Sequence, residues 1–157
     1  MDDWTDHMTT AFPEVRLKHF IEMRGADGGP WRGLCALPAL WVGLLYDSTA
    51  LDAAWDLCKD WSEAERTALR YDAPRLGLKT PFRSETIREI ALRVLEISRA
   101  GLVNRRKLDR SGKDETMFLD VLDGIADSGV TAADAMLEAY QGRWNGDIEK
   151  LYGEYSY

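Results

Sequence analysis

The stretch Glu14-Val15-Arg16-Leu17-Lys18-His19-Phe20-Ile21-Glu22-Met23-Arg24 changes character at every step. Glu14, Arg16, Lys18, Phe20, Glu22 and Arg24 occupy one set of alternate positions, and Val15, Leu17, His19, Ile21 and Met23 the other. Successive side chains of a β-strand point to opposite faces, so the pattern predicts one strand over about 14–24 with a charged and an apolar face. His19, on the apolar side, is expected to be a core histidine and not a catalytic base. Gly25-Ala26-Asp27-Gly28-Gly29-Pro30 comes directly after. A loop so rich in glycine can take unusual dihedrals and approach a ligand closely.

Downstream of that loop the chain reads as helical almost to its end. Trp31–Tyr46 is one predicted helix, with Pro38 either near its first turn or at a kink. Asp47-Ser48-Thr49 supplies capping oxygens for a helix through about Cys58. Ser62 and Glu65 have the capping-box spacing for a helix to about Tyr71, and Pro74, Gly77 and Pro81 are expected to break the next stretch. Ser84 is the predicted cap of a long amphipathic helix with the apolar set Ile87, Ile90, Ala91, Val94, Leu95 and Ile97. The basic run Arg105, Arg106, Lys107, Arg110 and Lys113 is expected to be a helix end passing into a solvated loop. A helix over about Asp114–Asp127 should end at Ser128-Gly129, Thr131 and Asp134 open another that Gly142 stops, and a short one is expected before Tyr157.

The fold class is therefore α+β and predominantly helical, with one clear strand followed by helices in a single segment, 1–157. A lone strand leaves its backbone donors and acceptors unpaired along both edges. Its partner strands are expected in sequence beyond this chain or in another chain.

A chain of 157 residues with six Trp, six Tyr and four Phe can bury a substantial core. The net charge of −7 disfavours a general nucleic-acid binder, while leaving room for a local basic site that holds a small anion. The longest apolar stretch, Leu34–Tyr46, is too short to span a bilayer, and the acidic start does not resemble a signal peptide. A cytoplasmic protein without membrane or nucleic-acid partners is expected. Cys35 and Cys58 fit no metal or redox spacing and are expected as buried free thiols. His7 and His19 are the two histidines, too few and too isolated for a zinc site or a triad.

The charged face of the strand leaves two alternatives open. It can be an exposed sheet surface laced by cross-strand ion pairs. It can equally be a metal–phosphate site, in which Glu22 offers hard oxygen to Mg²⁺ and Arg24 a bidentate fork to phosphate or carboxylate.

Longer motifs add a resemblance. Phe12-Pro13-Glu14-Val15-Arg16-Leu17-Lys18 and Glu22-Met23-Arg24-Gly25-Ala26-Asp27-Gly28-Gly29-Pro30-Trp31 closely resemble the plant and proteobacterial type of glutamate–cysteine ligase. Leu34-Cys35-Ala36-Leu37-Pro38-Ala39, Trp41-Val42-Gly43-Leu44-Leu45-Tyr46-Asp47, Ala53-Ala54-Trp55-Asp56-Leu57 and Pro74-Arg75-Leu76-Gly77-Leu78 are similar to that family as well. The likeness runs over essentially the whole chain and matches the carboxy-terminal part of the family.

That resemblance implies part of a glutamine-synthetase-like catalytic domain, with 1–30 at the active site and 31–157 helical. It implies ATP, L-glutamate and L-cysteine as substrates, Mg²⁺ as cofactor, and γ-glutamylcysteine made through a γ-glutamyl phosphate. By carry-over, Glu22 becomes the metal ligand and Arg24 the catalytic clamp. Arg16, Lys18, Asp27 and Trp31 become substrate or phosphate contacts, Asp27 also fitting a simple turn residue. Most metal-ligating carboxylates would lie outside this segment, so its partner is expected to be the amino-terminal part of the enzyme or a self-associating copy. The rival from another class is a non-catalytic helical module that pairs its strand with a partner protein by β-augmentation.

Overall fold

The computed structural model describes residues 3–4, 7, 13–26 and 28–155. The alternating stretch folds back on itself. β1 (Val15–Leu17) pairs antiparallel with β2 (Ile21–Met23), with Val15 opposite Met23, Arg16 opposite Glu22 and Leu17 opposite Ile21. The Arg24 amide donates to the Glu14 carbonyl at 2.9 Å and extends the ladder. One continuous strand is thus corrected to a hairpin, because a folded-back chain satisfies backbone groups that an isolated strand leaves bare. The partner strand is the stretch's own second half. His19 sits exposed in the connection, not in a core, and Phe20 leaves the charged row.

The helices come next. α1 (Trp31–Leu45) passes through Pro38 without ending. Pro38 has no N–H, so this helix lacks one rung of its hydrogen-bond ladder. α2 (Ser48–Cys58) starts where the Asp47 carboxylate accepts from the Ala50 amide at 2.9 Å. α3 (Glu63–Leu76) opens with the Ser62–Glu65 capping box and runs beyond Tyr71, carrying Pro74 inside it. Gly77 stops it, at φ 55. A 3₁₀ turn over Gly77–Lys79 leads to a second small hairpin, β3 (Pro81–Phe82) with β4 (Glu85–Thr86), which the sequence pattern did not announce.

Ser84 lies in that hairpin's turn, so it does not cap the long helix. α4 (Ile87–Arg105) begins after Thr86, whose amide donates to the Glu89 carboxylate at 2.9 Å. The predicted helix over 114–127 is split into a 3₁₀ turn, Glu115–Leu119, and α5 (Asp120–Ser128), closed by Gly129 at φ 68. α6 (Ala132–Gln141) carries the Thr131–Asp134 capping box, and α7 (Glu149–Tyr155) is the short carboxy-terminal helix. Among the described residues the architecture is mostly helical with two short hairpins.

The core is built on the crossing of α1 and α4, which sets the position of everything around it. Small residues meet there. A Cβ added at Gly101 would lie 1.9 Å from the Gly43 carbonyl oxygen, and one at Gly43 would lie 2.3 Å from the Ser98 carbonyl oxygen. The two backbones therefore touch. Ser98, fully buried, donates its hydroxyl to the Leu40 carbonyl at 3.0 Å across the crossing. Leu102 and Leu119 fill the space beside it with Ala39, Leu40, Val42 and Leu122. Arg88 of α4 donates to the Ala126 and Asp127 carbonyls, at 2.7 and 2.5 Å, and so ties down the carboxy-terminal end of α5. Trp144, 1% exposed, donates its indole N–H to Glu154 at 2.6 Å and anchors α7. Cys35 and Cys58 are free thiols, each half-buried. Among the described residues no single helix is long and apolar enough to cross a membrane; α1 and α2 pass such a test only together, across a 93° bend.

Alanine normally favours a helix over glycine by about 1 kcal/mol. At Gly101 the clash must win, and Gly101→Ala is expected to destabilise by about 1–3 kcal/mol or more, as overpacking does. A urea midpoint equal to or above the parent's would refute the backbone contact.

Glu65 makes stability depend on pH. It accepts from Arg83 Nε at 2.7 Å and from the Ser62 amide, also at 2.7 Å. These contacts, Arg83 first, push its carboxyl down to about 2 from 4.5. A depressed folded value means that the stabilisation is complete above about pH 4.5 and is lost as pH falls toward 2. Glu65→Gln should lower the urea midpoint at neutral pH, and its gap to the parent should close through that acid window. A gap that stays constant across the window would exclude the linkage.

Candidate functional site

The hairpin register decides how the charged side chains meet. Facing residues of an antiparallel pair share a face, so Arg16 and Glu22 stand side by side, and Arg24 lies beyond Glu22 on the same side. Arg16 Nε donates to Glu22 Oε2 at 2.7 Å, and Arg24 NH1 reaches the same oxygen at 3.4 Å. All three side chains are partly shielded, at 19%, 30% and 25% exposure for Arg16, Glu22 and Arg24. The Arg16 hydrogen bond holds the Glu22 carboxyl below the usual carboxylate range; partial desolvation opposes it, and the fields of Arg16, Lys18 and Arg24 reinforce it. Glu14, at the hairpin's open end, pairs outward with Arg70 of α3 at 3.0 Å.

Of the two alternatives for this face, the cross-strand ion pair is present. Among the described residues the hairpin does not make a complete magnesium site. Mg²⁺ demands near-octahedral oxygen ligands and gives up water reluctantly. A single described carboxylate, Glu22, faces this cluster, and Arg16 and Arg24 contact one of its oxygens. Among the described residues no group of three or more His, Cys, Asp or Glu side chains is placed to hold a metal ion.

The other candidates are dispersed. Asp27 lies outside the described residues. Trp31, 73% exposed at the start of α1, walls a cleft of about 470 Å³ with Arg32, Cys35, Met117, Phe118, Asp120 and Val121. None of the hairpin side chains lines that cleft. Gly28, Gly29 and Pro30 border a different groove, whose far wall is Met136 of α6 with Leu151, Tyr152 and Tyr155 of α7. The structure therefore brings together Arg16, Glu22 and Arg24, with Lys18 within reach of their field, and places Trp31 elsewhere.

Phe118 and Asp120 opposite Trp31, and Tyr152 opposite the glycine loop, escaped the sequence reading. They come from elements far along the chain, and no local spacing marks them. Arg70 escaped for the same reason, as an ordinary solvated position on α3.

Comparison with known proteins supplies the context. The model of glutamate–cysteine ligase family 2 matches residues 1–154. The chain is 49% identical over 156 residues to a protein named glutamate–cysteine ligase, chloroplastic, of Arabidopsis thaliana, covering 99% of this chain and 29% of that protein. It is 47% identical over 157 residues to glutamate–cysteine ligase A, chloroplastic, of Oryza sativa subsp. indica, covering 100% of this chain and 31% of the relative. The relative from Nicotiana tabacum, also named chloroplastic, is 46% identical, with 29% of its length covered. The expected cytoplasmic location is overturned by these names, since each of these relatives is named chloroplastic. The chain thus spans about 30% of the length of the relatives it matches. By the extent of these matches, this chain belongs to glutamate–cysteine ligase family 2.

Proposed function

We propose that this chain is the carboxy-terminal part of the glutamine-synthetase-like catalytic domain of an ATP-dependent glutamate–cysteine ligase. It serves the first step of glutathione synthesis, with the hairpin and glycine loop of 1–30 at the active site and the helices of 31–157 behind them. The observation that carries this reading is the family match over residues 1–154, together with two guanidiniums clustered directly before the glycine loop.

In such a reaction the γ-carboxylate of L-glutamate attacks the terminal phosphorus of ATP, and the leaving group is ADP. The γ-glutamyl phosphate is then attacked by the amine of L-cysteine, which loses a proton as inorganic phosphate departs. The protein's task is to position reactants and neutralise charge, with no need of a nucleophile of its own. Arg24 lies at the mouth of the glycine loop and is assigned to the transferring phosphoryl group. Arg16 and Lys18 are assigned as further anion contacts, and Trp31 and Asp27 as contacts to substrate. Magnesium enters as the ion that ATP carries with it. The remaining carboxylates and acceptor contacts are assigned to polypeptide that the longer relatives have and this chain does not match.

A specific observation also favours the rival. Val15, Leu17 and Ile21 on the hairpin's apolar face are exposed, Leu17 by 82%, as a strand-pairing surface would be. The experiment that separates the two readings is a chimera in which this chain replaces the matched segment of the Arabidopsis relative. The ligase reading predicts ATP-, glutamate- and cysteine-dependent phosphate release, lowered roughly 10²-fold by Arg24→Ala, as for other single charge-stabilising donors. A folded chimera without activity, or one indifferent to Arg24→Ala, would reject the assignment and leave the interaction module.

A further inference from the structure

We infer that the basic loop between α4 and the Glu115–Leu119 turn is a docking site for an acidic segment of a partner protein, one that carries a bulky apolar side chain between its carboxylates. The inference goes beyond the ligase reading and rests on none of its chemistry.

The loop is a built turn. It closes at an isolated antiparallel bridge between Leu108 and Asp114. Inside the bridge the Asp109 amide donates to the Lys113 carbonyl at 2.8 Å, and the Gly112 amide to the Asp109 carbonyl at 3.1 Å. The Asp109 carboxylate accepts from the Ser111 amide and hydroxyl, both at 2.7 Å, and from the Lys113 amide at 3.0 Å. Gly112 takes φ 81, a left-handed backbone that glycine adopts without strain.

The charges decide the sign of the partner. Over 105–115 five cationic side chains stand against three carboxylates. Arg105 pairs with Glu115 at 3.3 Å. Arg106, Lys107, Arg110 and Lys113 are exposed, and none of them is ion-paired among the described residues. The other two carboxylates are engaged by the loop itself. Asp109 closes the turn, and Asp114 accepts from the Thr116 hydroxyl and from its amide, the latter at 3.1 Å. The Ser111 hydroxyl first, then the Lys113 amide, hold the Asp109 carboxyl below the usual carboxylate range, and the Thr116 hydroxyl and amide do the same for Asp114. A chain of net charge −7 thus presents a local positive surface here.

Shape decides the rest. Lys107 and Lys113 border a hollow of about 230 Å³ whose apolar wall is Leu108, Met117 and Phe118. All three are exposed, Leu108 by 64%. Large apolar side chains grouped at a polar rim mark an interaction surface. The hollow is smaller than the roughly 300–1,000 Å³ typical of small-molecule sites, and suits a single bulky side chain. An aromatic or leucine side chain seated there covers the apolar wall, while carboxylates on either side of it reach the two lysines. A flat lipid surface would meet the cations and leave the hollow unfilled. A nucleic-acid duplex brings phosphates but no apolar side chain, and the net charge opposes it.

Fluorescence anisotropy with the full chain tests the assignment, the probe being a short labelled peptide of aspartates and glutamates around one central phenylalanine. Binding is expected, with an affinity that falls as salt rises. Serine in place of the phenylalanine should weaken it roughly threefold or more, the scale of partly burying one apolar side chain. Leu108→Ser, at an exposed position outside the core, should do the same. Lys107→Glu with Lys113→Glu should weaken it roughly tenfold or more, because like charges then face each other. Should that pair fail to fold by circular dichroism, Lys107→Gln with Lys113→Gln reads a smaller loss in the same direction. Asp109→Ala separates a built site from charge alone. It removes a negative charge, yet it should weaken binding because the turn loses its closing acceptor; a tighter complex would overturn the built site.

A folded chain that ignores the peptide, or binds the serine version equally well, would overturn the inference. So would preference for phosphatidylglycerol-containing vesicles or for duplex DNA over the peptide. Self-association of the chain in sedimentation, abolished by Lys107→Glu with Lys113→Glu, would give the loop to a second copy. In the chimera, both lysines should stay open to acetylation; their protection there would give the loop to the rest of the ligase polypeptide and overturn docking of a partner. Peptide binding needs no turnover, so an inactive chimera leaves it standing.

Discussion

The tightest constraint in the molecule is the contact of two backbones where α1 crosses α4. Gly43 and Gly101 have no side chains there because no room exists for them, and Ser98 donates its hydroxyl to the Leu40 carbonyl in the same gap. Helix axes usually stand 8–10 Å apart, a distance set by the residues between them. Glycine at both contact points lets the backbones of α1 and α4 touch, and the remaining elements are arranged around that pair. Leu102 and Leu119 then fill the space that remains, and Arg88 fastens α5 by its carbonyl end. The glycine loop enters α1 directly through Pro30, so its carboxy-terminal end is fixed by the same crossing.

The hairpin is organised by a different force. It adds little apolar burial to the body, and an isolated two-stranded hairpin is marginal in water. What orders its charged face is electrostatic, with one carboxylate opposite one guanidinium and beside another. The pairing fixes where these charges stand relative to one another. The helical body supplies rigidity through packing, and the hairpin supplies charge at the edge of the loop that the body holds.

Much of this was legible in the chain. Helix starts with a side-chain acceptor three residues before their partner, as at Ser62 and Thr131, were found because capping is a local hydrogen bond. The two-residue alternation separated Arg16, Glu22 and Arg24 from Val15, Leu17, Ile21 and Met23, and failed at His19 and Phe20, which lie in the connection. It did not reveal the fold-back, since Lys18-His19-Phe20 carries none of the glycine, asparagine or proline that usually marks a turn. Pro74 failed as a breaker because the helix tolerated it within its last turn. Ser84 failed as a cap because the short β3–β4 hairpin claims it, and that hairpin depends on Arg83 holding a left-handed backbone while its side chain reaches Glu65 and the Asp60 carbonyl. Glu22 and Arg24 were visible as candidates. That Arg16 would occupy Glu22 was not, because a cross-strand partner exists only once the register is set.

That register carries an arithmetic consequence. In β1–β2 the numbers of every facing pair have the same even total, so odd positions face odd and even positions face even. The two faces of the original stretch survive the fold-back only for this reason. A shift of the pairing by one residue would set Glu22 opposite Val15 or Leu17 and leave Arg16 opposite an apolar neighbour. A residue added within the connection and taken up as a longer turn would leave Arg16 opposite Glu22, since hairpin connections of both odd and even length occur. The charged face therefore depends on which residues pair and not on how many join the strands.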